Sequence, residues 1–237
     1  MVSPGPATFR EVYRLAGGGL GDHLARLSPL RHGDRSFVDW FAAAAAADPP
    51  APKIVRPALA AATRGHLAQL GVQEGGFVLL APAATWPSKE WPRDHWAWLV
   101  RALAAQGRAT VVLQPPGRPD LATLAEPGLP GGVLPPLPLE QALQVVGAAA
   151  QVVSVDGGIM HASVGMGRPT VALFGPTDPA LWFPYEACGP FRVLATRPPC
   201  HPCHRHTCDE FICLPDVAPA QVLVALADLP GRDAPLD

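Results

Sequence analysis

Lysine is almost missing from this chain. Two of its 237 residues are lysine, Lys53 and Lys89, among 18 basic residues. Thirty prolines and an Ala- and Arg-heavy composition fit a GC-rich coding bias, under which arginine is the easy cation. A lysine at 89 therefore invites a chemical explanation. Long apolar runs are also absent: none reaches the roughly 18–20 residues that a membrane span needs. The Ala-rich stretch "FAAAAAADPP" is too short and reads as a helix end. No basic segment leads into an apolar stretch and a cleavage site, so the cytoplasm is the expected compartment. There is no GxGxxG after a strand and no GxxxxGK[ST], which argues against the usual dinucleotide and P-loop sites. Charge is scarce at 16%, and the net value of −2 does not suggest a nucleic-acid partner.

What is present is enough apolar material, 49% of residues, for a sizeable core. Residues 1–72 carry 8 basic and 5 acidic side chains, whereas 73–237 carry 10 and 15. The mildly basic N-terminal part suits an anionic acceptor or peripheral contact with a membrane surface, beside the plainer reading of a solvated face. Residues 1–72 are irregular, with a Gly-rich turn and a short helix starting near Asp22. Segment 59–71 has helical spacing and ends on a Gly C-cap.

From residue 76 the pattern is regular. Short apolar runs at 76–82, 109–114, 151–155, 169–175 and 191–196 predict buried strands. Helical spacing predicts helices over 93–106, about 119–126, 137–150, 159–166 and 217–229. Strands alternating with helices make an α/β fold whose parallel sheet is covered on both faces.

Ligands of such sheets bind outside the carboxyl ends of the strands. One end carries Asp156, Gly157 and Gly158, followed by His161 in the first turn of a helix. Glycines permit close backbone approach and positive φ. The helix N-terminus offers N–H groups and a positive dipole end to a phosphate. A tight turn with a capping Asp and a packed His explains the same residues. A second strand end leads into "PAATWPSKEWP", where Thr85 and Lys89 share a loop on the same edge and an ammonium can neutralise phosphate. Trp86, Trp91, Trp96 and Trp98 read as packing residues.

Four of five cysteines cluster as Cys200-x2-Cys203-x4-Cys208-x4-Cys213, interleaved with His201, His204 and His206. In a cytoplasmic protein this spacing favours a structural Zn or Fe held by thiolates over disulfides. Reduced loop thiols are the alternative.

Together "LAGGGLGDHLARLSPL", "PAATWPSKEWPRDHWAWL", "VDGGIMHASVGMGRPTVALFGPTDP" and "CHPCHRHTCDEFICLPDVAPAQV" resemble, in order, the motifs of glycosyltransferase family 9, the heptosyltransferases of lipopolysaccharide synthesis and their relatives. The resemblance implies a GT-B-like fold: a Rossmann-like nucleotide-sugar domain over 73–237 and a reduced acceptor-side domain over 1–72. It implies an ADP-heptose-like donor and a glycan, lipid A-core or protein acceptor. It also implies no cofactor for catalysis, and work at the inner face of the inner membrane. Thr85 and Lys89 would hold the donor phosphates, and Gly157, Gly158 and His161 would line the diphosphate, with Asp156 shaping the turn. Asp120 would approach the ribose, and Asp22 would be the catalytic base. Two other readings stand beside it: a nucleotide-sugar-binding relative without catalysis, motivated by the short N-terminal part and opposed by the presence of Asp22, and a metal-knuckle adaptor, motivated by the cysteines and opposed by the negative charge of 73–237.

Overall fold

A computed structural model describes residues 54–183, 185–186 and 189–230. The described residues divide between two units, 54–178 with those from 185 to 230 in the larger, and 179–183 in the smaller. In the smaller unit the described residues form one helical turn, Pro179–Trp182.

The larger unit is built on six parallel strands: β1 (Phe77–Ala81), β2 (Ala109–Val112), β3 (Gly131–Val133), β4 (Gln151–Val155), β5 (Thr170–Phe174) and β6 (Phe191–Ala195). Their order across the sheet is β3-β2-β1-β4-β5-β6. Every residue of β1, β4 and β5 is buried, as expected of central strands covered on both faces. Strand alternation sorts β1 between two cores. Val78 and Leu80 join Trp96, Leu99, Leu103, Val222 and Leu226 on one face. Phe77 and Leu79 join Val111, Val145, Val146 and Leu67 on the other.

The helices that cover these faces are α1 (Ala61–Gln69), α2 (Arg93–Ala105), α3 (Leu139–Ala148), α4 (Gly158–Gly165) and α6 (Pro219–Asp228). The Pro179–Trp182 turn of the smaller unit is α5. Helix α2 starts directly after Pro92, carries Asp94 in its first turn and stops before Gly107 at φ 70°. Helix α1 is tied to α3, because Thr63 Oγ1 donates to Gln144 Oε1 across 2.6 Å in a buried pair. Residues 54–72, expected on the N-terminal side of a boundary at 72, thus include Leu67 and Val72, which pack in the core with Phe77 of β1.

Two elements differ from expectation. The helix expected near 119–126 is a 3-10 helix, Pro119–Leu124. The edge strand β3 has no apolar run to announce it, since its sequence is Gly-Gly-Val. Its glycine is required by close approach: Gly131 sits at φ 99°, and a Cβ there would lie 1.9 Å from the Thr110 carbonyl oxygen. Gly131→Ala is expected to cost about 2 kcal/mol, limited by the freedom of a short edge strand to shift. Urea denaturation checks it; an unchanged midpoint would show that the approach is not that close.

Candidate functional site

The strand order reverses between β1 and β4, the position where doubly wound sheets open a crevice at their carboxyl edge. The loop after β1 forms a 3-10 turn, Pro87–Lys89, and the turn after β4 begins with Asp156. The two meet. Lys89 Nζ lies 2.6 Å from Asp156 Oδ2, with the side chains only 13% and 5% exposed. Thr177, on the loop after β5, donates its hydroxyl to the same oxygen at 2.6 Å. A carboxylate this deep persists because a cation and a hydroxyl replace its lost water. The ammonium also sits 4.2 Å from the centre of the Trp86 ring, a cation–π contact. The scarce lysine is thus neither an exposed loop residue nor interchangeable with arginine. A compact charge on a flexible stem serves both Asp156 and the indole.

Helix α4 starts beside this pair, and no side chain caps its N-terminus. Asp156 is not a capping residue, being engaged by Lys89 and Thr177. The glycines do not use positive φ either. Gly157 is fully extended at φ 177°, and a Cβ added there would meet nothing closer than the Val155 carbonyl oxygen at 3.9 Å. Their small size leaves the space before the helix open.

His161, half-buried in the first turns of α4, places Nδ1 3.4 Å from the Tyr185 hydroxyl, its ring edge-on to that phenol. Burial lowers its pKa below the usual 6.5; nearby Asp156 opposes the shift and Lys89 adds to it. The folded state therefore favours neutral imidazole. In the window below about 6.5 the unfolded chain binds this proton more readily, so stability falls as pH drops through it. Melting temperatures between pH 7.5 and 5.5 should show a loss that shrinks in His161→Gln. An equal loss in both would remove His161 from the effect.

Three expected residues stand differently. Thr85 is exposed in the β1 loop. Asp120 is exposed at the start of its 3-10 helix and held by Arg118 at 2.9 Å. The Arg118 guanidinium, which also grips Glu90, keeps the Asp120 carboxyl below the usual carboxylate range. Asp120 thus lies on the carboxyl edge but outside the Lys89–Asp156 cluster. Asp22 lies outside the described residues, as does Cys188.

The expected metal centre is not assembled. Among the described residues no group of three or more His, Cys, Asp or Glu is placed to hold a metal ion. The four thiols are free, with Cys200 exposed and Cys203, Cys208 and Cys213 half-buried. Burial, with Cys203 and Cys208 adding their charge, pushes the Cys213 thiol pKa up. Two of the three interleaved histidines have other partners. His201 Nε2 lies 3.2 Å from the Thr177 carbonyl oxygen, and His206 stacks on Trp86 with ring centres 3.9 Å apart.

Thr177 and Tyr185 escaped the sequence reading, which took Trp86 for a packing residue and His206 for a neighbour of the cysteines. Thr177 had a usable signal: a hydroxyl residue just past the carboxyl end of an apolar strand. The two aromatic contacts join distant segments and had none.

Comparison with known proteins identifies the family. The family model described as "Glycosyltransferase family 9 (heptosyltransferase)" matches residues 37–211. Lipopolysaccharide heptosyltransferase 1 of Escherichia coli K12 is 36% identical over 117 residues, 48% of this chain and 37% of that protein. Lipopolysaccharide heptosyltransferase 2 of Salmonella typhimurium is 32% identical over 100 residues, 39% of this chain and 29% of that protein. Among solved structures, E. coli heptosyltransferase WaaC with ADP aligns at TM-score 0.56 and 26% identity, over 80% of this chain and 54% of that one. A family 9 glycosyltransferase from Veillonella parvula aligns at TM-score 0.63 and 17% identity, over 82% and 59%. The aligned region spans about a third of the length of these curated relatives. The parallel sheet with its Lys89 loop and Asp156 turn lies within the matched segment, and the chain belongs to glycosyltransferase family 9.

Proposed function

We propose that Lys89, His161 and the open N-terminus of α4 bind the diphosphate of a nucleotide sugar, with Asp156 and Thr177 holding Lys89 and the turn in place, and that the protein transfers the sugar from an ADP-heptose-like donor to an acceptor hydroxyl. The observation that carries this is the Lys89–Asp156 pair, a nearly buried cation at the switch point beside an uncapped helix start. The relative of known structure with ADP bound, at 26% identity, supports the choice of nucleotide.

In the transfer, the acceptor oxygen bonds to the anomeric carbon as the bond from that carbon to the diphosphate oxygen breaks. The electron pair leaves with ADP, and the hydroxyl proton passes to a base, for which Asp22 is the candidate by family resemblance. Negative charge grows on the diphosphate. The ammonium of Lys89 and the positive end of α4 stabilise it most at that moment. Neutral His161 keeps a ring N–H to offer a phosphate oxygen. The chemistry requires no bound cofactor. The acceptor class is a glycan, a lipid A-core or a protein, and the reaction is placed at the inner face of the inner membrane. Among the described residues no helix is long and apolar enough to cross a membrane.

Mass spectrometry of the chain incubated with ADP-heptose and a panel of acceptors tests the proposal. The expected result is ADP release matched by acceptor mass gain. ADP binding without turnover under any pairing would leave a donor-binding relative without catalysis; no binding would remove the donor site itself.

A further inference from the structure

The Cys/His segment is wrapped against both sides of the Lys89–Asp156 pair. On the lysine side, the Ser88 amide donates to the His206 carbonyl at 3.2 Å, and Ser88 Oγ donates to the Arg205 carbonyl at 2.5 Å. Ser88 is 3% exposed, so these bonds are shielded from competing water. The His206 ring stacks on Trp86, tilted by 21°, and Trp86 is the ring on which the Lys89 ammonium rests. On the carboxylate side, the His204 amide donates to the Pro176 carbonyl at 3.0 Å, and His201 reaches the carbonyl of Thr177, whose hydroxyl holds Asp156.

We infer that this segment is the positioning element of the phosphate-binding lysine, and that His206 is its key side chain. The loop between β1 and α2 has one short 3-10 turn to fix its shape. The Trp86 indole is half-exposed and needs a partner to hold one rotamer. His206 supplies it. A fixed indole in turn holds the ammonium by cation–π attraction at a place where it reaches both Asp156 and the crevice. His206 is exposed, so replacing it removes no core contact. That it positions a phosphate-binding group rests on the proposed donor site; that it positions Lys89 does not.

The scarcity of lysine makes a direct readout available. Reductive methylation with 13C-formaldehyde labels Lys89 and Lys53, the two lysines of the chain, with Lys53 as internal reference. The Lys89 methyl resonance should be shifted upfield by the Trp86 ring. His206→Ala should move it toward the free-lysine position, leave Lys53 unchanged and weaken ADP binding by about 3- to 10-fold, while His206→Phe, which can still stack, restores both. In a Lys89→Ala background His206→Ala should have no further effect on ADP. An unmoved Lys89 resonance in His206→Ala overturns the inference. So does an ADP effect of equal size with and without Lys89. If the resonance moves as expected but the parent binds no ADP, the positioning stands and the donor-phosphate reading falls.

Discussion

Lys89→Met is expected to weaken ADP binding by about 10- to 100-fold and to cost about 2–3 kcal/mol of folding stability. The binding term is the loss of one charge-assisted contact. The stability term comes from what stays behind. Exposed ion pairs contribute about 0–1 kcal/mol, whereas breaking a buried one costs about 3–5 because a charge is left unpaired. Lys89 and Asp156 are 13% and 5% exposed, which places the pair nearer the buried case. Thr177 still donates to the carboxylate and limits the loss. The double variant Lys89→Met/Asp156→Asn should recover most of the stability, since no buried charge remains, yet bind ADP as poorly as the single variant. Chemical denaturation and calorimetry separate the two effects. If the single variant keeps both its stability and its affinity, the pair is incidental.

Asp22→Asn is expected to lower kcat by at least about 100-fold with donor affinity nearly unchanged. A general base contributes roughly 10² to 10⁴ in rate, and it acts in the transition state rather than in donor binding. An aspartate with an ordinary pKa near 3.9 is ionised at neutral pH and ready to accept the proton. The run "GGGLG" before it allows a tight backbone turn that presents the next side chain. Asparagine keeps the shape and removes the basicity. Equal turnover by parent and variant would make Asp22 a helix cap, a common role for aspartate at a helix start.

The strands and most helices were legible because hydrophobic period and Gly stops are local signals. The β1 and β4 runs announce central strands. Gly131-Gly132-Val133 does not announce β3, because it pairs by backbone approach with almost no side chains. The site was legible where chemistry stands out against composition: Lys89 against a bias for arginine, and Asp156-Gly157-Gly158 at a strand end. The reason each residue is there was less visible. Asp156 read as a residue shaping the turn or capping the helix, and is the partner of Lys89, a relation between residues 67 positions apart in sequence. The cysteine spacing looked like a metal knuckle because spacing carries no information about side-chain direction. The same segment instead docks its carbonyls and imidazoles on Ser88, Thr177 and Trp86.

The central claim is that a diphosphate binds between Lys89 and the first turn of α4. Amide and methyl NMR during titration with ADP, and separately with adenosine, tests it most directly. ADP should move the amides of Gly158 to His161 together with the labelled Lys89 methyls, while adenosine at the same occupancy leaves them in place. Saturable ADP binding that leaves these signals unmoved, or adenosine moving them as far, would contradict it.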